Sequence, residues 1–100
     1  MASDHRQEAQ ALITRLAALL QSGASSRTAT IVSECEALSR AVAAFHMEGI
    51  RFRIFNVDRL LRAAAEVPGT IPEGAAELLE GARRHLEAAG FHTRSHQAPI

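Results

Sequence analysis

The stretch GIRFRIFNVDRLLR, Gly49–Arg62, decides the fold class because it can be interpreted in two ways. Its early part, Ile50–Ile54, alternates apolar and charged side chains as a half-buried strand does, whereas the residues that follow do not. A single strand in so small a chain leaves its backbone groups unpaired unless a second copy supplies a partner. We therefore favour a helix from about Ile50 to Glu66, ended by Pro68. At about 100° per residue, its buried side is predicted to be Ile50, Ile54, Val57, Leu61 and Ala64.

Breaks at Gly23, Gly49 and Pro68-Gly69 divide the chain into four segments, each long enough for a helix. The first segment runs from Asp4 to Ser22, and its apolar residues recur at the spacing of one helical face. This spacing predicts an amphipathic helix. Its predicted buried residues are Ala9, Leu12, Ile13, Leu16, Leu19 and Leu20.

The second segment is predicted to begin at a cap formed by Ser25 or Ser26 and to run to about Met47. Its apolar residues follow one another at intervals of three and four, which is typical of the seam of a helical bundle. These predicted seam residues are Thr28, Ile31, Cys35, Leu38, Val42 and Phe45.

The fourth segment opens with Thr70-Ile71-Pro72-Glu73, a capping-box pattern in which the threonine hydroxyl and the glutamate each satisfy a backbone N–H group. Gly74 and Gly81 each cost about 1 kcal/mol relative to alanine inside a helix, so we expect both at a close helix crossing. Gly90 ends the helix, and residues 91–100 are predicted to be a tail. The predicted buried residues are Ala75, Leu78, Leu79, Ala82, Leu86 and Ala89.

Four helices with short connections predict an all-α, antiparallel four-helix bundle, a single domain over residues 1–100. Eleven basic and eleven acidic residues cancel, so the chain lacks a net field that would steer it to nucleic acid or anionic lipid. It has a polar start, no apolar run long enough to span a bilayer and a single cysteine, so we expect a cytoplasmic protein without a membrane segment. Every basic residue is arginine and alanine is abundant, which indicates a GC-rich, bacterial genome.

The predicted third helix has a second apolar face. Phe52, Phe55, Arg59 and Arg62 lie opposite its buried side. Aromatic residues beside arginines are enriched where proteins meet, which favours an interface with a second copy or another protein. In the alternative interpretation, the phenylalanines fold under the tail or a loop and the arginines only keep the helix soluble.

The same stretch permits a third interpretation, in which arginines contact phosphates while an aromatic ring stacks on a base. Asp58 interrupts the basic patch, and Glu48 and Glu66 flank it, so the local positive field is small. The sequence therefore argues against nucleic acid as the partner. The arginines concerned are Arg51, Arg53, Arg59 and Arg62.

The cysteine and the C-terminal histidines are predicted to be structural or solvated. Cys35 lies in the seam between two glutamates, which would raise the pKa of its thiol and favour a buried structural role. His92 and His96 have a spacing that could hold a metal ion from a helix, with His85 one helix end away. Gly90 and Pro99 argue against a helix there, so we expect a solvated tail, no metal site and no cofactor.

His46 is predicted at the end of the second helix, one position from the buried seam. The segment His46-Met47-Glu48-Gly49, followed by a helix with Leu60 and Leu61, resembles the histidine-containing phosphotransfer domains. The resemblance implies a four-helix bundle whose exposed histidine, here His46, carries a phosphoryl group. Members of that family usually have lysine at the third place after the histidine and glycine at the fourth, whereas this chain has glycine one place early and no lysine. An ordinary capping histidine near a helix end is the alternative.

The sequence therefore predicts a non-catalytic regulatory or adaptor module that binds protein and self-associates through its third helix. A phosphorelay carrier using His46 is the second hypothesis, and nucleic-acid binding through the arginine patch of residues 51–62 is the third.

Overall fold

The computed structural model describes residues 4–22 and 26–91, which form an antiparallel bundle of four helices. No strand occurs within these two ranges. The stretch Gly49–Arg62 is helical, so the helix interpretation is confirmed. The helices are α1 (His5–Gln21), α2 (Ser26–Ala43), α3 (Met47–Ala65) and α4 (Ala75–Ala88).

Helix α1 occupies the centre of the packing. It packs extensively against α2 and α4, while α2 also packs against α3. Helices α3 and α4 contact each other only slightly, so the spatial order is α4, α1, α2, α3. One continuous apolar core joins all four helices.

The predicted buried faces are largely confirmed. All five residues predicted for the inner side of α3 are buried, as are the α2 seam residues from Thr28 to Val42. Phe45, predicted as the last seam residue, is instead 62% exposed, and Ala89 is exposed as well. Both lie just beyond a helix end, where the helical spacing no longer sets the direction of a side chain.

Helix α2 ends at Ala43, earlier than the predicted Met47. Phe45 has the left-handed φ of 55°, and its N–H donates to the carbonyl of Val42 while the N–H of His46 donates to that of Ala41. These two bonds form a Schellman motif, which ends a helix and usually has glycine at the left-handed position. Because phenylalanine and not glycine occupies that position, the end of α2 could not be recognised from the sequence.

The prediction of a capping box at Thr70 was wrong, because α4 begins at Ala75 with Gly74 as its N-cap. Gly74 has a left-handed φ of 95°, which suits a turn. A Cβ at this position would meet no atom within 4 Å, so Gly74 does not lie at the predicted helix crossing. Gly81 does lie at a close crossing, since a Cβ there would be 3.1 Å from Cδ1 of Leu12 on α1.

Phe91 is the only residue of the predicted tail that the structure describes. Phe91 is buried and its N–H donates to the carbonyl of Leu86, while residues 92–100 lie outside the described residues. The side chains predicted to cap α2, Ser25 and Ser26, also lie outside them. None of the described helices combines the length and apolar character needed to cross a bilayer.

Candidate functional site on the outer face of helix α3

Helix α3 buries one side and exposes aromatic residues on the other. Its inner residues, from Ile50 to Ala64, pack in the core. On the opposite side, Phe52 and Phe55 are 46% and 41% exposed. Their predicted outward direction is therefore confirmed. We use "α3 outer stripe" for Glu48, Phe52, Phe55, Arg59 and Arg62, which share this side of the helix.

The arginines in and beside the stripe make local ion pairs and hydrogen bonds. Arg51 pairs with Glu48 at 3.2 Å, and the Nε of Arg62 pairs with Asp58 at 3.0 Å. Arg59 instead donates to the neutral side-chain oxygen of Asn56 at 3.1 Å. Exposed pairs of this kind contribute at most about 1 kcal/mol each. Their effect here is to fix side chains along the helix and to place carboxylates beside the cations.

Arg53 has a different role from the other arginines, because it joins α3 to α2. Its Nη1 donates to both carboxylate oxygens of Glu34, at 3.0 and 3.1 Å, and Asn56 donates to the same carboxylate at 3.3 Å. The guanidinium carbon of Arg53 also lies 5.3 Å from the centre of the Phe52 ring. This network could not be predicted from the sequence, because no helical spacing relates Glu34 to a residue on the next helix.

These contacts bear on the nucleic-acid hypothesis. Arg51, Arg53 and Arg62 each pair with a carboxylate of the same chain. A phosphate would have to compete with those carboxylates, so the local field that attracts a polyanion is weak. Binding to nucleic acid through this patch stays a prediction.

A groove lies between α3 and α4, next to the stripe, where the two helices diverge. Its volume is about 460 Å³. The apolar part of its lining includes Leu61, Ile71 and Leu79, and Arg62 of the stripe also lines it. The Nε of Arg83, which also lines the groove, is buried without a hydrogen-bond partner. The apolar surface beside α3 is therefore larger than the two phenylalanines alone.

A second aromatic cluster forms at one end of the bundle. The ring of Phe45 stacks on that of Phe91 with centroids 6.2 Å apart, and the guanidinium carbon of Arg6 lies 4.3 Å from the Phe45 ring centre. The cluster joins the α2–α3 connection to the start of α1 and to the segment after α4. From the sequence, Phe45 was predicted in the seam and Phe91 in the tail, so their contact was not predicted.

His46 lies between α2 and α3, and not on the second helix as predicted. It is the N-cap of α3, where its Nδ1 accepts a hydrogen bond from the N–H of Gly49 at 2.9 Å. A Cβ at position 49 would approach that nitrogen to 2.7 Å, so the cap needs glycine there. The ring is exposed to solvent. Phosphotransfer through His46 stays a prediction, which the uptake of acid-labile phosphate from a phosphorylated receiver would test.

Cys35 is fully buried in the core, as predicted. The pKa of its thiol is raised to about 12, chiefly by burial and to a lesser extent by the neighbouring charges of Glu34 and Glu36. The nucleophilic form of cysteine is the thiolate. A thiol that stays protonated inside the core therefore serves packing and not chemistry.

The remaining predicted residues, His92 and His96, lie outside the described residues. In comparisons with known proteins, no family model, curated protein or solved structure matches this chain.

Proposed function

We propose that this chain is a non-catalytic protein-interaction module that self-associates through the α3 outer stripe. The observation that supports the proposal is the exposure of Phe52 and Phe55, by 46% and 41%, on a helix whose other side is fully buried. Aromatic residues flanked by arginines are enriched in the cores of protein interfaces. A second copy covers both exposed faces at once, because each copy offers the same surface to the other.

The spacing of the stripe suits contact with another helix. Its positions follow one another at intervals of four, three, four and three, the spacing at which side chains interlock between helices of a coiled coil. Helices that pack in this way cross at about 20°. The stripe can therefore lie along α3 of a second copy over much of its length.

The charges of the stripe favour an antiparallel pair of α3 helices. In a parallel pair each residue faces its own counterpart, so glutamate would meet glutamate and arginine would meet arginine. In an antiparallel pair with its two-fold axis between positions 53 and 54, Phe52 of each copy faces Phe55 of the other, and Glu48 faces Arg59. This register places the rings at the centre and opposite charges towards the ends, with Arg62 at the rim.

The expected dimer is reversible. Covering the exposed parts of the rings supplies a few kcal/mol at about 25 cal/mol per Å², whereas association itself costs at least about 4 kcal/mol. The exposed Glu48–Arg59 pairs would fix the orientation more than the strength of the contact. We therefore expect a dissociation constant on the order of micromolar or weaker, and not an obligate dimer.

The first experiment measures the mass of the protein in solution by sedimentation or light scattering over a range of concentrations. The wild type should approach twice the chain mass as concentration rises. Replacing both Phe52 and Phe55 by serine should give a monomer with unchanged helicity, because neither ring is needed in the core. Val67→Ser is the matched control, since Val67 is 43% exposed but lies beyond the end of α3; this variant should still dimerise.

A second experiment tests the orientation of the pair by exchanging charges. Glu48→Arg or Arg59→Glu alone should weaken the dimer, because each places like charges together in the antiparallel register. The double variant should restore the dimer. Glu8→Arg with Arg15→Glu makes a matched exchange on exposed positions of α1 and should leave the dimer unchanged.

The two experiments distinguish a failure of self-association from a failure of the antiparallel register. A wild type that stays monomeric at high concentration overturns self-association, and the stripe would then serve another protein. A dimer that does not respond to the charge exchange leaves self-association standing but overturns the antiparallel register.

A further inference from the structure

Two histidines from opposite ends of the chain meet on the surface. The Nδ1 atoms of His5 and His85 are 2.9 Å apart, and the ring centroids are 5.1 Å apart with an angle of 36° between the planes. His5 begins α1, and His85 lies in the last turn of α4. The antiparallel packing of α1 against α4 brings them together. The α3 outer stripe and the proposed self-association make no use of either residue.

The two facing nitrogens allow two chemical states. With one ring protonated on Nδ1 and the other on Nε2, one nitrogen donates a hydrogen bond and the other accepts it. With both rings protonated on Nε2, both Nδ1 lone pairs are free to bind a metal ion. The second state needs only a shift of one proton between the two nitrogens of one ring. No oxidant and no other reactant is required.

We propose that His5 and His85 form a two-histidine binding site for a divalent transition-metal ion, Cu²⁺ or Ni²⁺. Neutral imidazole is a good ligand for both ions. The site is on the surface, where an ion can reach it without unfolding the protein, since His5 is exposed. Among the residues that the structure describes, no group of three or more histidine, cysteine, aspartate or glutamate side chains is placed to hold a metal ion. Water would therefore fill the other coordination positions.

The chemistry of the two ligands favours Cu²⁺. The Nδ1 atoms 2.9 Å apart, with ring centroids 5.1 Å apart, face each other nearly head-on, so an ion binds both only when the rings turn and direct their lone pairs to one point. His5 is exposed, so its ring can turn. Cu²⁺ binds imidazole ligands most strongly among the divalent ions of its row.

Binding at this site would link the start of α1 to the end of α4. An ion that binds the folded chain and not the unfolded one raises the unfolding temperature by mass action. The rise in unfolding temperature should require both histidines, because only the folded packing of α1 against α4 brings them together.

The test uses the untagged full chain and titrates it with Ni²⁺ and Cu²⁺ by calorimetry, with Zn²⁺ for comparison. We expect one ion per chain, a higher unfolding temperature with the ion, and nitrogen hyperfine structure from two imidazoles in the Cu²⁺ electron paramagnetic resonance spectrum. His5→Gln and His85→Gln should each lose this binding and leave the helical circular dichroism unchanged. His46→Gln removes an exposed histidine elsewhere and should bind as the wild type does.

One double variant tests whether other histidines are the ligands. The double variant His92→Gln with His96→Gln should keep the site, because the proposal assigns it to His5 and His85. Loss of binding in that variant together with normal binding in His85→Gln would overturn the proposal. So would a wild type with no saturable binding of Ni²⁺ or Cu²⁺, or binding that survives both His5→Gln and His85→Gln.

Discussion

Cys35 shows how a single buried side chain can set a property of the whole chain. Its thiol has a pKa raised from 9.0 to about 12, chiefly by desolvation. The chain contains no lysine and no tyrosine. Cys35 is therefore its only side chain that titrates between about pH 9 and 12. The pH dependence of the free energy of unfolding at alkaline pH should therefore report the ionisation of Cys35.

We predict that the free energy of unfolding falls as the pH rises from about 9 towards 12. The unfolded chain loses the thiol proton near pH 9, while the folded chain keeps it until about pH 12, so the folded state binds more protons in that interval. The slope should approach about 1.4 kcal/mol per pH unit. Denaturant unfolding at a series of pH values measures it.

The control for this prediction is Cys35→Ala. At neutral pH this variant should lose on the order of 1 to 2 kcal/mol through lost contacts and a small cavity, and its alkaline slope should vanish. An equal slope in the two proteins would show that another change in the structure causes the loss. Rapid modification of the native wild type by a thiol reagent would contradict the buried position itself.

At the scale of the element, the start of α3 depends on a cap that is local in sequence. The imidazole of His46 accepts a hydrogen bond from the N–H of Gly49, in the way that an asparagine or aspartate side chain normally does. The same short segment carried the resemblance to phosphotransfer domains. Its histidine and glycine have a structural use that does not require phosphate.

We predict that His46→Ala lowers the free energy of unfolding by about 1 kcal/mol, because the N–H of Gly49 loses its partner. His46→Asn should retain most of the stability, since asparagine is a good capping residue. Thermal or denaturant unfolding compares the variants. If His46→Ala and His46→Asn change the free energy of unfolding by the same amount, the cap hydrogen bond contributes nothing to stability. The exposed ring would then be free for another role.

The buried faces of all four helices could be predicted, because burial imposes a helical spacing on apolar residues. The ends of the helices were predicted less accurately. Thr70 and Glu73 match a capping box, but the chain turns at Gly74 and begins α4 after it. Phe45 takes a left-handed conformation that usually marks glycine, so the end of α2 was placed too late. Local patterns are outweighed there by tertiary contacts, such as the stacking of Phe45 on Phe91.

At the scale of the whole molecule, the arrangement of the helices decides which surfaces remain exposed. The sequence predicted that Phe52 and Phe55 face outward, because a bundle helix buries only one stripe. It could not predict the divergence of α3 from α4, the contact of Arg53 with Glu34 or the meeting of His5 with His85. Each of these relates residues on different helices, and the spacing within one helix carries no information about its neighbours.

The final prediction concerns the coupling of association to folding. If the α3 outer stripe pairs in solution, unfolding releases two chains, so the unfolding temperature of the wild type should rise with protein concentration. Once the protein is mostly dimeric, each tenfold increase in concentration adds about 1.4 kcal/mol per dimer, which raises the unfolding temperature by about 3 to 6 °C for a dimer of this size. The variant with serine at positions 52 and 55 should melt at a temperature independent of concentration, whereas Val67→Ser should follow the wild type. A concentration dependence that persists without the two phenylalanines would assign the contact to another surface, and a wild type without any would show that the stripe does not bind a second copy.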